Sequence, residues 1–187
     1  MRRFQLLIAA VPLMFSGCSA GAASFDQAPL RSRAPAARTA DTGTLAQRLL
    51  AAHNLHRSAA GVPLLRWDDQ LAAGARTYAA QMASTGQLAH SPRQSRVGQG
   101  ENLWMGTAGS YTPEAMVQSW ANERRYFRAG IFPNVSSTGN WADVAHYTQM
   151  IWRSTTRIGC AVQRSGRWDY MVCRYSPAGN RDGQPVP

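Results

Sequence analysis

The sequence predicts an α/β domain in which helices flank a small β-sheet, giving three α/β/α layers. Two observations support this prediction: helical segments that begin at capping side chains, and a C-terminal pair of strand-like runs joined by a short turn. With 187 residues, 44% of them apolar, the chain is long enough for one ordinary domain with a real core. We therefore assign residues 44–187 to one folded domain that closes with a β-hairpin.

Capping residues and helix breakers delimit the first two helices. The first is predicted over 44–59, with Thr44 as its cap, and the second over about 69–83, after Trp67-Asp68 and with an aspartate as its cap. Glycines and a proline predict a loop over 84–100, and residues 101–105 are predicted to form a short strand. The apolar stripe of the first helix is predicted to contain Leu45, Leu49, Ala52 and His56.

The third helix has the clearest start. Thr112 is its expected cap, Pro113 occupies the first turn, and Glu114 lies beside the positive end of the helix dipole. This helix is predicted to continue to about Phe127. A loop rich in glycine and asparagine then leads to a short helix that contains His146.

The last two strand-like runs are predicted to pair as a hairpin. Residues 157–164 and 168–175 are rich in Val, Tyr, Trp and Cys, and Gly166-Arg167 is the predicted turn. In this register Cys160 faces Cys173 at a non-hydrogen-bonded position, where Cα atoms lie about 4.5 Å apart, at the short end of the disulfide range. We therefore predict a disulfide between them. The alternative is two buried free thiols, which a one-residue bulge in the hairpin would favour.

Residues 1–18 are predicted to be a signal peptide. Two arginines precede an apolar run that is shorter than the about 20 residues of a membrane-spanning helix. The run ends in Phe15-Ser16-Gly17-Cys18, which resembles a bacterial lipobox with Cys18 as the lipidated residue. The alternative is ordinary cleavage near residues 20–22, so the protein is expected to be an outer-membrane lipoprotein or a secreted or periplasmic protein. Residues 19–43, rich in Ala, Arg, Ser and Pro, are predicted to be a flexible tether.

The net charge of +10 is carried by arginine, since all 20 basic residues are arginine and the sequence has no lysine. Guanidinium groups keep their charge at physiological pH and bind phosphate or carboxylate through two hydrogen bonds. The charge favours anionic neighbours such as a membrane or cell-envelope polymer, although compositional bias of the coding genome also explains the missing lysines. No basic helix interleaved with aromatic residues occurs, so nucleic acid is not a predicted partner.

The chain has only three glutamates and four histidines, so their positions are informative. On a continuous third helix, Glu123 shares the apolar face of Trp120. A carboxylate on such a face is costly unless it has a partner. His146 is the natural candidate because, together with Gln149 and Met150, it points away from the apolar stripe of its own helix, which consists of Val144, Tyr147 and Ile151.

Six landmarks, in order along the chain, resemble the CAP family. This family includes cysteine-rich secretory proteins, insect venom antigen 5 and plant pathogenesis-related proteins. The landmarks are Ala52-His53-Asn54, Trp67-Asp68, Gly100-Glu101-Asn102, Trp120 with Glu123, the run from His146 to Trp152 followed by Gly159-Cys160, and the run from Cys173 to Asn180. The resemblance spans about residues 45–182 and implies the α/β/α CAP sandwich.

The resemblance also implies a cavity with a tetrad of two histidines and two glutamates, which maps onto His90, Glu101, Glu123 and His146. Imidazoles that face an opening bind a divalent cation such as zinc, so His90 and His146 are the expected metal ligands. The glutamates then orient the rings or supply an oxygen ligand. Two other roles remain open: a purely structural network of His–Glu hydrogen bonds, and acid–base catalysis by the same groups.

The function that follows is an exported, monomeric binding module for a lipid-like, sterol-like or anionic ligand, or a module that contacts a host or the cell envelope. The alternative is a hydrolase that uses the tetrad, with or without a metal. The sequence has neither a Gly-x-Ser-x-Gly elbow nor a His-Glu-x-x-His helix. Ser91, next to His90, is a conceivable hydroxyl nucleophile, but adjacency in sequence does not make a catalytic dyad.

Overall fold

A four-stranded β-sheet lies between two layers of helices in the structure, a computed structural model that describes residues 43–187. The α-helices of this part are α1 (Leu45–Ala59), α2 (Asp69–Thr85), α3 (Pro113–Ala121) and α4 (Ala145–Ile151). The strands are β1 (Arg66–Trp67), β2 (Gly100–Thr107), β3 (Gly130–Ile131), β4 (Arg157–Ser165), β5 (Trp168–Ser176) and β6 (Pro185–Val186).

Several sequence predictions concern the N-terminal region. The signal peptide over 1–18, the lipidation site Cys18 and the tether over 19–43, apart from Gly43, lie outside the described residues. They stay predictions. Between residues 43 and 187, no helix combines the length and the apolar character needed to cross a membrane.

The starts of the first three helices agree with the predicted caps. Thr44 forms a capping box with Gln47, Asp68 accepts hydrogen bonds from the first backbone N–H groups of α2, and Thr112 accepts one from α3. The buried face of α1 differs from its predicted stripe, because Leu45 is 41% exposed. The buried residues of α1 are Leu49, Ala52, His53 and Arg57.

Helix α3 is shorter than predicted. It ends at Ala121, and residues Asn122–Tyr126 form a 3-10 helix, so Glu123 does not continue the face of Trp120 at 100° per residue. A long-range contact accompanies this change: the Glu123 carboxylate accepts hydrogen bonds from two backbone N–H groups of α4. Such groups have no partner within their own helix. The prediction of one helix to Phe127 was therefore wrong.

Helix α4 is buried on more than one side. Tyr147 and Ile151 pack in a cluster with Phe132 and Trp152, as expected for its apolar stripe. Met150, predicted to point away from this stripe, is fully buried in the other cluster, which includes residues of α1, α3 and the sheet. Met150 therefore points away from that stripe, as predicted, and its side of α4 is buried too, because α4 lies between two apolar clusters.

The main sheet has the strand order β1-β4-β5-β2, with β1 parallel to β4 and the other pairs antiparallel. The predicted hairpin is confirmed, since Ser165 pairs with Trp168 across the turn and Cys160 pairs with Cys173. The two cysteines form the predicted disulfide, with Cα atoms 4.1 Å apart.

The side chains of β5 alternate between the two faces of the sheet. Met171, Cys173 and Tyr175 pack in the core cluster that includes α1, α3 and α4. Tyr170 and Val172 pack in the cluster that includes α2. The sheet is thus covered by helices on both faces, which confirms the α/β/α layers.

Candidate functional site

His90 and Glu101 form the first of two histidine–carboxylate pairs. His90 follows α2, Glu101 lies on β2, and the distance from His90 Nδ1 to Glu101 Oε1 is 2.9 Å. The backbone N–H and the hydroxyl of Ser91 also donate to the two Glu101 oxygens, at 2.9 and 2.7 Å. The Glu101 side chain is only 1% exposed, whereas that of His90 is 54% exposed. The histidine is therefore open to ligands while its carboxylate is not.

Two arginine side chains lie close to the Glu101 carboxylate. Arg174 Nε lies 3.0 Å from Glu101 Oε2, an ion pair whose angles fall outside those of a hydrogen bond, and Arg96 Nε lies 3.6 Å from Oε1. Burial alone raises the pKa of Glu101, but the hydrogen bonds from His90 and Ser91 and the charge of Arg174 outweigh it and lower the pKa to about 2. Glu101 is thus a carboxylate at any physiological pH.

His146 and Glu123 form the second pair. The distance from His146 Nδ1 to Glu123 Oε1 is 2.6 Å, and Glu123 Oε2 accepts hydrogen bonds from the backbone N–H groups of His146 and Tyr147 at 2.9 and 3.1 Å. The indole of Trp120 stacks on the imidazole, with ring centroids 5.9 Å apart and planes 10° apart. Glu123 therefore has the partner that the sequence analysis inferred for it, and the imidazole ring is fixed by both contacts.

A buried chain of hydrogen bonds connects β2 with the first helix. Asn102 Nδ2 donates to the carbonyl oxygen of His146 at 3.1 Å and to the Tyr175 hydroxyl at 3.2 Å. The Tyr175 hydroxyl lies 2.8 Å from His53 Nε2, and His53 Nδ1 lies 2.7 Å from the carbonyl oxygen of Leu49. Because a carbonyl only accepts, Nδ1 is the protonated nitrogen of His53 and Nε2 accepts from Tyr175. Burial lowers the pKa of His53 to about 4.

An open cleft of about 780 Å³ lies beside the first pair. His90 and Glu101 line it, but His146 and Glu123 are not among its lining residues. Between residues 43 and 187, no three side chains of His, Cys, Asp or Glu are grouped closely enough to hold a metal ion. The structure therefore arranges the four predicted site residues as two histidine–carboxylate pairs, of which the first lines this cleft.

The two pairs share one chemical feature. In each, a carboxylate oxygen contacts Nδ1, and neither Nε2 has a hydrogen-bond partner among the described residues. With Nδ1 as the donor, the lone pair of a neutral ring is on Nε2, the atom that a metal ion or a proton would take. The Ser91 hydroxyl donates to Glu101, so the described contacts contain no Ser91–His90 dyad.

Ser91 and Arg174 are partners of Glu101 that were not predicted from the sequence. Arg174 is directly opposite Glu101 in the β2–β5 pairing. A predicted pairing of these two strands would have identified it, because opposite residues of an antiparallel pair are neighbours. The hairpin pattern alone places β5 next to β4 and gives no register for β2.

Comparisons with known proteins identify relatives over most of the chain. Residues 50–175 match the model of the CAP family, described as the cysteine-rich secretory protein family. Pathogenesis-related protein 1C of Nicotiana tabacum is 40% identical over 139 residues, which are 74% of this chain and 78% of that protein. Secreted protein RBT4 of Candida albicans is 39% identical over 138 residues, which are 72% of this chain and 35% of that protein. A crystal structure of NaASP2 with Zn²⁺ is similar with a TM-score of 0.65 and 26% identity, over 77% of this chain and 85% of that chain.

Proposed function

This chain belongs to the CAP family of cysteine-rich secretory proteins, and from that premise we propose that it is an exported binding module whose His90 and His146 bind a divalent cation such as zinc. The observation that supports the cation is the carboxylate on the Nδ1 atom of both rings, Glu101 at 2.9 Å and Glu123 at 2.6 Å. Carboxylate–histidine–metal arrangements of this kind fix the tautomer and make the other ring nitrogen a better ligand.

The donor set leaves coordination positions open. Two imidazoles are fewer ligands than the three protein ligands of most catalytic zinc sites, and residues 43–187 offer no cluster of three such side chains. Water or an oxygen atom of a bound partner therefore completes the coordination in this proposal. The crystal structure of NaASP2 with Zn²⁺, 26% identical, gives the proposal support from a relative.

Binding is favoured over hydrolysis. The hydroxyl of Ser91 is 2.7 Å from Glu101 and is buried with the residue 3% exposed, so it is neither hydrogen-bonded to His90 nor open to a substrate. Both cysteines of the described part are joined in a disulfide, which leaves no thiol nucleophile there. A hydrolase that uses the tetrad stays the alternative, and no contact of Ser91 or the cysteines supports it.

We also propose that the module works at the cell envelope. The targeting pattern of residues 1–18, the lipobox cysteine Cys18 and the net charge of +10 support export and attraction to an anionic surface. A secreted relative, RBT4 of Candida albicans, is consistent with export. Labelling with palmitate that disappears in Cys18→Ala is the expected result for a lipoprotein, and labelling that persists in this variant contradicts it.

Thermal unfolding with and without zinc tests the cation site. A ligand present at 100 times its Kd stabilises the folded state by about 2.7 kcal/mol, so zinc should raise the Tm of the parent protein. His90→Ala and His146→Ala should each reduce this gain, whereas His56→Ala, at a half-buried position on α1 that belongs to neither pair, should leave it unchanged. The proposal is wrong if zinc does not shift the Tm of the parent protein, or if both site variants keep the full shift.

A further inference from the structure

We propose that the cleft beside His90 binds an acidic saccharide, held by Arg93 and Arg181 through its anionic groups and by Trp141 against a sugar face. All three residues line the cleft. This proposal goes beyond the cation site, since none of the three belongs to either histidine–carboxylate pair. It gives the envelope-binding module a chemical class of ligand.

The charges of the cleft favour an anion. Arg93 and Arg181 are exposed and come from two separate segments of the chain, and their guanidinium groups form neither an ion pair nor a hydrogen bond with any residue between 43 and 187. The lining contains two carboxylates, Glu101 and Asp182, and Glu101 is already paired with the buried Arg174. The lining therefore has two guanidinium groups available for carboxylate, sulfate or phosphate oxygens, which arginine binds through two parallel hydrogen bonds.

The segment that carries Arg181 is held in place by its neighbour Asn180. The Asn180 side chain donates to the carbonyl oxygen of Ala145 at 2.8 Å and accepts from the Thr148 hydroxyl at 2.7 Å. Its backbone has a φ of 52°, in the left-handed region that few side chains other than Asn adopt readily. A ligand thus meets a preformed wall, which lowers the entropy cost of binding.

One exposed aromatic side chain gives the cleft an apolar surface beside its charged groups. Trp141 is 46% exposed although it lies in a cleft, and it packs edge-to-face on Phe132 with ring centroids 5.4 Å apart. Phe132 is 4% exposed, so the support under the indole is firm. A large, fixed aromatic ring next to cationic groups suits a ligand that has a C–H-rich face and charged substituents, as an acidic sugar does.

The composition of the lining separates a saccharide from a lipid chain. Ten of the 18 lining residues are polar or charged, three are glycine and five are apolar. An acyl chain or a sterol needs a mostly apolar pocket that removes it from water. A hydrated sugar instead forms hydrogen bonds with such a lining, so the cleft fits the saccharide and not the lipid.

Titration of the protein with an oligogalacturonate, in buffer containing EDTA, tests the proposal without the cation. The parent protein should bind it and should not bind a neutral malto-oligosaccharide of the same length. Arg93→Ala and Arg181→Ala should each weaken binding by about tenfold, the loss of one charge-assisted contact. Trp141→Ala should weaken binding of the charged saccharide more than either arginine variant does. Circular dichroism checks that the Trp141→Ala variant folds.

Arg76→Ala is the matched control, because Arg76 is exposed on α2 and does not line the cleft. Equal weakening by Arg76→Ala and Arg93→Ala would overturn the proposal, since the attraction would then come from net charge alone. Binding of phosphatidylglycerol vesicles that competes with the oligosaccharide and depends on Arg93 and Arg181 would assign the cleft to a lipid headgroup and would also overturn it. The cation site is separate in this design: the Arg93 and Arg181 variants should keep the zinc-induced rise in Tm.

Discussion

Glu123 and His146 are joined through both the side chain and the backbone of the histidine. One carboxylate oxygen contacts Nδ1 at 2.6 Å, and the other accepts the hydrogen bond of the His146 backbone N–H at 2.9 Å. Glu123 therefore caps α4 from a distant part of the chain and orients the imidazole at the same time. The His90 ring, 54% exposed, has no such backbone attachment to Glu101, so the two histidines are not equivalent.

The first prediction follows from this double contact. Glu123→Gln keeps an oxygen for the backbone N–H groups of α4 but removes the charge on the Nδ1 side, so we expect a loss of about 1 kcal/mol in stability. Zinc affinity should fall by about 10–100-fold, as when a carboxylate behind a metal-bound histidine is lost. Calorimetric titration with zinc measures it. Asp69→Asn, the same charge change at the start of α2, serves as the control, and equal affinities in the two variants would contradict the role of Glu123.

The second prediction concerns acid sensitivity from Glu101. Its pKa is about 2 in the folded protein and about 4.5 in an unfolded chain, so the unfolded state binds the proton first as the pH falls. The stabilisation is complete above pH 4.5 and is lost between about pH 4.5 and 2, by on the order of 3 kcal/mol. The free energy of unfolding, measured with urea at several pH values in this range, should depend less steeply on pH in Glu101→Gln than in the parent protein. An identical pH dependence in the two proteins would show that Glu101 is not responsible.

The third prediction concerns a higher pH window and the buried His53. Burial lowers its pKa from 6.5 to about 4, so the folded state resists protonation that the unfolded state accepts. Stability should therefore fall as the pH drops from about 6.5 to 4, by up to about 1.4 kcal/mol per pH unit for this one group. His53→Gln should flatten that part of the pH profile. His56→Gln, at a half-buried position on the same helix, should flatten it less, and the reverse order would contradict the assignment.

Local chemistry explains which parts of the fold could be predicted. The caps Thr44, Asp68 and Thr112 were right because a cap depends on residues within one turn. The Cys160–Cys173 pairing was right because a two-residue turn fixes the register of a hairpin. These features need no knowledge of distant segments.

Long-range contacts explain the rest. The 3-10 segment that follows α3 accompanies the bonds of Glu123 to α4, and the pattern of its own helix gave no sign of this. The partner of Glu123 could be inferred because a carboxylate on a predicted apolar helix face requires one, and few candidates were present. Arg174 could not be inferred as the partner of Glu101, because it depends on the β2–β5 register.

The fourth prediction concerns the disulfide. The Cys160–Cys173 bond closes a loop with a sequence separation of 13, for which loop-closure entropy gives a stabilisation of about 3 kcal/mol. A Cys160→Ala, Cys173→Ala double variant should lose up to this amount but keep the hairpin, because β4 and β5 also pair through their backbones. Urea unfolding of the oxidised, reduced and double-variant proteins gives the three values. A reduced protein as stable as the oxidised one would contradict the prediction.

The last prediction concerns Arg57, a fully buried arginine that no sequence pattern identified. Its guanidinium donates to the carbonyl oxygens of Pro63, Met150, Trp152 and Thr155 at 2.7–2.9 Å, and it thereby ties α1 to the end of α4. A lysine ammonium cannot serve four acceptors in one plane, and each buried carbonyl left without a donor costs about 1–3 kcal/mol. Arg57→Lys should therefore lower the free energy of unfolding by at least about 3 kcal/mol. Arg153→Lys is the control, at an exposed arginine with one long contact, and it should change the free energy of unfolding by less than about 0.5 kcal/mol. Equal effects of the two substitutions in urea unfolding would refute the role of the Arg57 guanidinium.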